Sequence, residues 1–202
     1  MRIGIEINGV LRDTISKLEM VYKKYLMDKT DGIDESETFE YGMNLPVTSL
    51  KLRDHFKFRD DDEFFSFLYE EFPMEIFGHA GSTEIMTFHD FNEFYVEFRN
   101  NHDILIVSDE IGRSKPSSLF FLSKFGCLTE KVKFYSNTTI NSMWEEIDVL
   151  LTSNPDLLLD YPKTKIMIKF NTSYNQNIKV EHEISSIKEL KDKINLIYDT
   201  NA

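Results

Sequence analysis

Apolar positions along the chain fall into two kinds of run. Five short segments are almost continuously aliphatic or β-branched: residues 2–7 (RIGIEI), 103–108 (DILIVS), 131–135 (KVKFY), 147–151 (IDVLL) and 165–170 (KIMIKF). Continuous rather than alternating runs predict strands buried on both faces. Between several of them the apolar spacing lengthens to three and four. Thr83 to Arg99 sets Ile85, Phe88, Phe91, Tyr95 and Phe98 on one predicted helical face. Residues 116–125 (PSSLFFLSKF) open with a proline that suits a first helical turn and close at Gly126, which suits a C-cap. Residues 186–198 (SIKELKDKINLIY) carry the pattern of a further helix. Strands alternating with helices predict an α/β fold, a three-layer sandwich around a mainly parallel sheet.

The interval between the first two strands has its own character. Residues 15–30 read as a helix, 31–46 (DGIDESETFEYGMNLP) as a polar loop, and 60–72 (DDDEFFSFLYEEF) as a helix opening with acids that complement its dipole. Residues 15–80 are therefore expected to form a small helical insertion over the strand ends, with 1–14 and 81–202 as the α/β core. The Phe-rich stretch 55–77 (HFKFRDDDEFFSFLYEEFPMEIF) is read first as the interior of that insertion, since a small cap needs large side chains to bury enough area. A partner surface comes second and a base-stacking platform third.

Composition narrows the function classes. Hydrophobic residues make up 41% of the 202 positions and aromatics 13%, with Phe at 17, which supports a packed core. The formal net charge of -12 disfavours binding to nucleic-acid backbones, which relies on clustered Lys and Arg. A small phosphorylated ligand stays compatible, because a pocket can differ from the global field. The single Cys127 allows no intramolecular disulfide and no zinc site by itself. His55, His79, His89, His102 and His182 are scattered without ligand spacing. No stretch has the features of a signal peptide or the length of a membrane span, so a soluble, cytoplasmic protein is expected.

Candidate chemistry sits where the strands end. In an open α/β sheet, ligands bind beyond the carboxyl ends of the strands. Glu6 and Asn8 end the first strand in IGIEINGVLRDT (3–14), Ser108 ends the second in ILIVS (104–108), and Thr152 and Ser153 follow the fourth in DVLLTSNPDLL (148–158). These positions are expected to converge on one crevice. The layout resembles the haloacid dehalogenase-like phosphatases. More narrowly it is similar to the cytosolic 5'(3')-deoxyribonucleotidase type, in which an insertion after the first strand forms a helical cap. The resemblance spans nearly the whole chain. It implies a first aspartate that attacks phosphorus, a second, two residues later, that handles the proton, a Ser or Thr and a Lys on the phosphoryl group, and acids that hold Mg²⁺.

The residues present depart from each of these roles but one. Glu6 stands at the nucleophile position, and its extra methylene displaces the attacking oxygen by about 1 Å, enough to cost roughly a hundredfold. Asn8 stands at the acid/base position, and a carboxamide does not shuttle protons near neutral pH. Thr152 and Ser153 stand at the metal positions and bring no charge. Ser108 keeps the phosphate-binding hydroxyl, while the loop 136–146 (SNTTINSMWEE) offers no lysine, leaving Lys115 or Lys133 to substitute. Groups that act as a unit do not fail additively, so Glu6, Asn8, Ser108, Thr152 and Ser153 read as vestigial positions. Asp13 is read as the cap of the following helix, Asp148 as structural or as a support behind the site, Asp109 and Glu110 as solvated loop residues ahead of the alternative that they approach the crevice, and Cys127 as a buried small residue.

The expectation is a pseudo-phosphatase with a structural, scaffolding or regulatory role, its partner another protein or a second copy of itself. No cofactor is expected, with Mg²⁺ entering only if activity persists. The competing expectations are a weak Mg²⁺-dependent phosphatase on 5'- or 3'-(deoxy)nucleoside monophosphates and a nucleotide sensor without turnover. A composition rich in Asn, Lys, Ile and Phe suits an AT-rich genome, viral ones included, and with it a place in a virion.

Overall fold

A computed structural model describes residues 1–29 and 47–201. The predicted polar loop at 31–46 lies outside the described residues. Six strands form one all-parallel sheet: β1 (Arg2–Glu6), β2 (Asp103–Ser108), β3 (Val132–Phe134), β4 (Val149–Thr152), β5 (Ile166–Phe170) and β6 (His182–Ile184). Their order across the sheet is β3-β2-β1-β4-β5-β6. The order reverses between β1 and β4, the point at which a parallel sheet opens a crevice.

The continuous apolar runs are explained by what covers each face. Ile104 and Ile106 of β2 join one cluster with Ile3 and Ile5, while Leu105 and Val107 join another with Leu150 and Met167. The first cluster is closed by three helices, α3 (Thr87–Phe98), α4 (Ser114–Lys124) and α7 (Leu190–Asn201), through Phe91, Phe94, Phe98, Phe121 and Ile194. The second is closed by α5 (Ile140–Glu146) and α6 (Pro155–Leu159), through Met143, Trp144, Leu157 and Leu158. Three layers result, as the strand and helix patterns predict. At the opposite end from the crevice, Asp148 is structural: it precedes β4 and pairs with Arg2 of β1 at 2.5 Å.

Between β1 and β2 lie α1 (Thr14–Lys29), α2 (Asp61–Ser66) and two wide π turns at Phe67–Glu71 and Met74–Gly78. Asp13 caps α1, its carboxylate accepting from the Ser16 amide at 3.2 Å, and Asp60 caps α2 by accepting from the Glu63 amide at 2.8 Å. These elements have a cluster of their own, in which Tyr22, Phe56, Phe67 and Ile76 are fully buried. The aromatics of 55–77 thus mainly serve as interior: Tyr22 meets Phe56 edge-on at 5.2 Å, and Phe67 lies 5.2 Å from Phe72. Phe65 differs, being 44% exposed.

Four expectations are corrected. Ile85 precedes α3 rather than lying on its buried face and is 99% exposed. Residues 136–146 are not all loop, because α5 runs through Ile140–Glu146. Thr152 belongs to the end of β4 rather than following it. A sixth strand, β6, extends the sheet beyond β5.

Candidate functional site

The loop after β1 is wound tightly. The Ile7 carbonyl accepts from the Leu11 and Arg12 amides at 3.0 Å each, and the Gly9 amide returns to the Arg12 carbonyl at 2.9 Å. Gly9 carries the positive φ of 69° that this path requires. A side chain at Gly9 would collide with the Tyr174 hydroxyl and Ser153 Oγ, so these two groups are packed down onto the loop. The result brings Glu6, Asn8, Ser108, Thr152 and Ser153 together at the sheet's carboxyl edge, through contacts from Glu6 to Thr152 and from Asn8 to Ser153.

Each candidate group is already occupied by protein. Glu6 is 1% exposed, with one carboxyl oxygen 3.0 Å from the Tyr135 hydroxyl and the other held by Thr152. Burial, reinforced by the nearby Asp109 and opposed by those two hydroxyls, pushes its carboxyl up to about 8. At neutral pH Glu6 is therefore mainly a neutral acid. Thr152 Oγ1 also accepts from the Asn154 amide at 2.9 Å. Ser153 Oγ donates to the Asn8 carbonyl at 3.0 Å and pairs with the Tyr174 hydroxyl at 2.9 Å.

Asn8 is saturated in the same way. Its amide nitrogen donates to Asp109 and Glu110 at 3.0 Å each, and its oxygen accepts from Arg12 at 2.6 Å and Thr14 at 2.7 Å. Only a carboxamide satisfies two donors and two acceptors at once. Ser108 is fully buried and donates to Glu110. Glu110 is accordingly not the solvated loop residue expected: it is 1% exposed and ion-paired with Arg12, itself wholly buried. Asp109 does open toward the cavity, but the protein crowding it and the adjacent Glu110 raise its carboxyl above the ordinary carboxylate range.

Sequence reasoning missed Arg12, Tyr135 and Tyr174. Arg12 is a wholly buried cation beneath the crevice, gripped by the Phe77 carbonyl at 2.9 Å and Ser118 at 2.7 Å as well as by Glu110. Burial pulls its guanidinium below the usual range, and Glu110 opposes that. Its placement between Asn8 and Thr14 in the quoted motif was the available signal. Lys115 and Lys133 do not fill the lysine role. Lys115 lies 5.6 Å over the Phe134 ring, and Lys133 reaches Ser142 at 2.9 Å and pairs with Glu146.

The donors at Glu6, Asn8, Thr152 and Ser153 are a poor set for Mg²⁺, which keeps several waters and is usually held through one or two free carboxylates in octahedral array. The Glu6 oxygens are engaged by Tyr135 and Thr152, the Asn8 oxygen is taken by Arg12 and Thr14, and the Thr152 and Ser153 hydroxyls are spent within the protein. Among the described residues, the only set of three His, Cys, Asp or Glu side chains with ligand atoms within 4.8 Å is His89, Asp90 and Glu93, on helix α3.

Over this floor lies a cavity of about 500 Å³. Glu6, Asn8, Asp109, Glu110 and Tyr174 line its base; Leu18, Phe64, Leu68 and Phe77 form apolar walls; Lys51 and Arg53 stand among the lining residues from the segment before α2. No described helix is long and apolar enough to cross a membrane.

Comparison with known proteins places the fold. A haloacid dehalogenase-like hydrolase from Streptococcus pneumoniae superposes with a TM-score of 0.60 at 10% identity, covering 98% of this chain and 97% of its own. A family hydrolase from Deinococcus radiodurans R1, solved with bound phosphate and sodium, gives 0.55 at 12% identity over 96% and 95% of the two chains. β-Phosphoglucomutase from Clostridium difficile gives 0.53 at 12% identity over 99% and 97%. No protein-family model matches the chain, and no curated protein matches it. The fold is that of the haloacid dehalogenase-like hydrolases.

Proposed function

We propose that this chain keeps the fold of a haloacid dehalogenase-like hydrolase without its chemistry and serves as a structural, scaffolding or regulatory component that binds another protein or a second copy of itself. One observation carries the reading: Glu6, at the position of the attacking carboxylate, is a buried, mainly protonated acid tied to Tyr135 and Thr152. A protonated carboxyl is not a nucleophile. The saturated Asn8, the spent hydroxyls and the misfit to Mg²⁺ point the same way. Within the fold, the 5'(3')-deoxyribonucleotidase type suits the layout, with residues 15–80 as the cap.

Protein binding draws support from the surface where the insertion meets α4. Met74 and Phe120 are 38% and 42% exposed and flank Gly78, and the His79 ring lies 5.4 Å from Phe120. A second reading, a sensor that holds a nucleotide without turnover, draws on the cavity and on Lys51 and Arg53 in its lining. The test is phosphate release from a panel of deoxynucleoside monophosphates with Mg²⁺ at high protein concentration. No release above buffer is expected. Release that Glu6→Ala abolishes would make the chain a phosphatase with an altered nucleophile.

A further inference from the structure

The cavity combines an under-satisfied acid with aromatic and aliphatic walls. Asp109 accepts from the Asn8 amide at 3.0 Å through Oδ1, while its Oδ2 meets no donor from any other described residue. Burial and the adjacent Glu110 raise its carboxyl, the mark of an anion without a cation of its own. The acids beside it are engaged: Glu110 is paired with Arg12, and both Glu6 oxygens are bonded to Tyr135 and Thr152. Asp156, exposed, lines the cavity with no ion pair among the described residues. Tyr69 reaches the cavity from the first π turn, its ring stacked 5.9 Å from Phe77 and its hydroxyl without a hydrogen-bond partner among the described residues. The charges of Asp109 and Glu110 add to burial in holding that hydroxyl above the ordinary tyrosine range, so it lies in their field. Leu18, Phe64 and Leu68 supply apolar wall.

We propose that this cavity binds a small primary alkylammonium ion, its head donating to Asp109 Oδ2 and the Tyr69 hydroxyl and its alkyl chain lying along Leu18, Phe64 and Leu68. An ammonium group carries three donors and no acceptor, which matches two open acceptors, and it brings the positive charge that Asp109 lacks. A volume of about 500 Å³, walled mainly by apolar side chains with a few convergent polar groups, has the make-up of a small-ligand site. An anion is the competing occupant, since Arg53 Nη1 is buried without an acceptor among the described residues; but Arg53 is already paired with Asp61 at 3.1 Å, and Lys51 stands in solvent. The inference rests on the reading of the crevice as non-catalytic and adds the class of ligand that its open acceptors suit.

The test titrates the full chain calorimetrically with n-hexylammonium, 1-hexanol and hexanoate at matched ionic strength, which varies the head group on one chain length. Hexylammonium should bind with a Kd of about 1 mM or tighter, at least about tenfold tighter than hexanol, and hexanoate should give no saturable heat. Asp109→Asn still accepts from the Asn8 amide and should weaken hexylammonium about tenfold; Tyr69→Phe keeps its ring against Phe77 and should weaken it about threefold. The three head groups on the unaltered chain decide the matter even where a variant fails to fold. No binding of hexylammonium, hexanol or hexanoate binding as tightly, or an affinity unmoved by Asp109→Asn or by Tyr69→Phe overturns the proposal. Each of those failures leaves the non-catalytic reading intact, whereas turnover of a phosphate ester by the unaltered chain defeats that reading and not the ammonium binding.

Discussion

Replacing Glu6 by glutamine should stabilise the protein, and by an amount that grows with pH. The carboxyl titrates near 8 in the fold against an ordinary 4.5. The folded-state value is raised, so the sign is fixed. Below about pH 4.5 the group is neutral in both states and costs nothing. As the pH climbs, the unfolded chain gives up its proton first, and stability falls by about 1.4 kcal/mol per pH unit until the folded carboxyl also ionises near 8. Above that the loss levels off at about 5 kcal/mol. The glutamine side chain stays neutral throughout, keeps nearly the same shape and still offers both Tyr135 and Thr152 a hydrogen-bond partner. Urea unfolding of both proteins from about pH 5 to about pH 9 reads the difference. The Glu6→Gln variant should lead by about 1 kcal/mol at pH 5, about 3 at pH 6.5 and about 4 to 5 above pH 8. Parallel stability curves, or an advantage for the natural chain at alkaline pH, would refute a protonated Glu6.

The other substitutions probe the same network. Asn8→Asp removes two donors and sets a third carboxylate beside Asp109 and Glu110, with Arg12 offsetting only part of the repulsion; urea melts at neutral pH should show a loss of about 2–4 kcal/mol, shrinking in acid, with no phosphatase activity gained. Arg12→Met leaves Glu110 buried without its cation and should cost about 3–5 kcal/mol, seen as a melting-temperature drop on the order of 10 °C. Gly9→Ala combines a positive φ with collisions against Tyr174 and Ser153 and should cost about 2 kcal/mol or more by denaturant unfolding; the same change in a Tyr174→Phe background should cost measurably less. Phe67→Ala empties a fully buried place in the insertion's own cluster and should cost about 3–5 kcal/mol by the same assay.

Much of the fold is legible in the chain because four strands, β1, β2, β4 and β5, are largely buried and leave continuous apolar runs, and the half-buried edge strand β3 still shows through Val132, Phe134 and Tyr135. The sixth escapes because His182, Glu183 and Ile184 bury only one apolar side chain, so no run exists to find. Helix α5 is hidden differently. Ile140, Met143, Trp144 and Ile147 carry helical spacing, but the Ser, Asn and Thr residues around them have loop chemistry. Ile85 shows the converse failure: it fits the period of α3 yet lies before its first turn and faces solvent.

The site divides along the same line between local and distant information. Parallel strands present their carboxyl ends on one edge, so the convergence of Glu6, Ser108 and Thr152 follows once the strands are found. What each group does there depends on partners far along the chain. Glu110 lies 98 positions from Arg12, and Tyr135 lies 129 from Glu6. Neither pairing leaves a trace in spacing, and an acidic pair after a strand has the composition of an ordinary solvated loop. The pairing of Glu110 with Arg12 turns that loop residue into the centre of the crevice.

The most direct test of the central claim asks whether Glu6 can attack phosphorus at all. The full chain is mixed with excess acetyl phosphate or a reactive aryl phosphate in the presence of Mg²⁺, quenched in acid and weighed intact. The protein should keep its unmodified mass at every time point, as should Glu6→Gln. A phosphoryl adduct on the natural chain that is absent from Glu6→Gln would contradict the account and return the crevice to the enzymes.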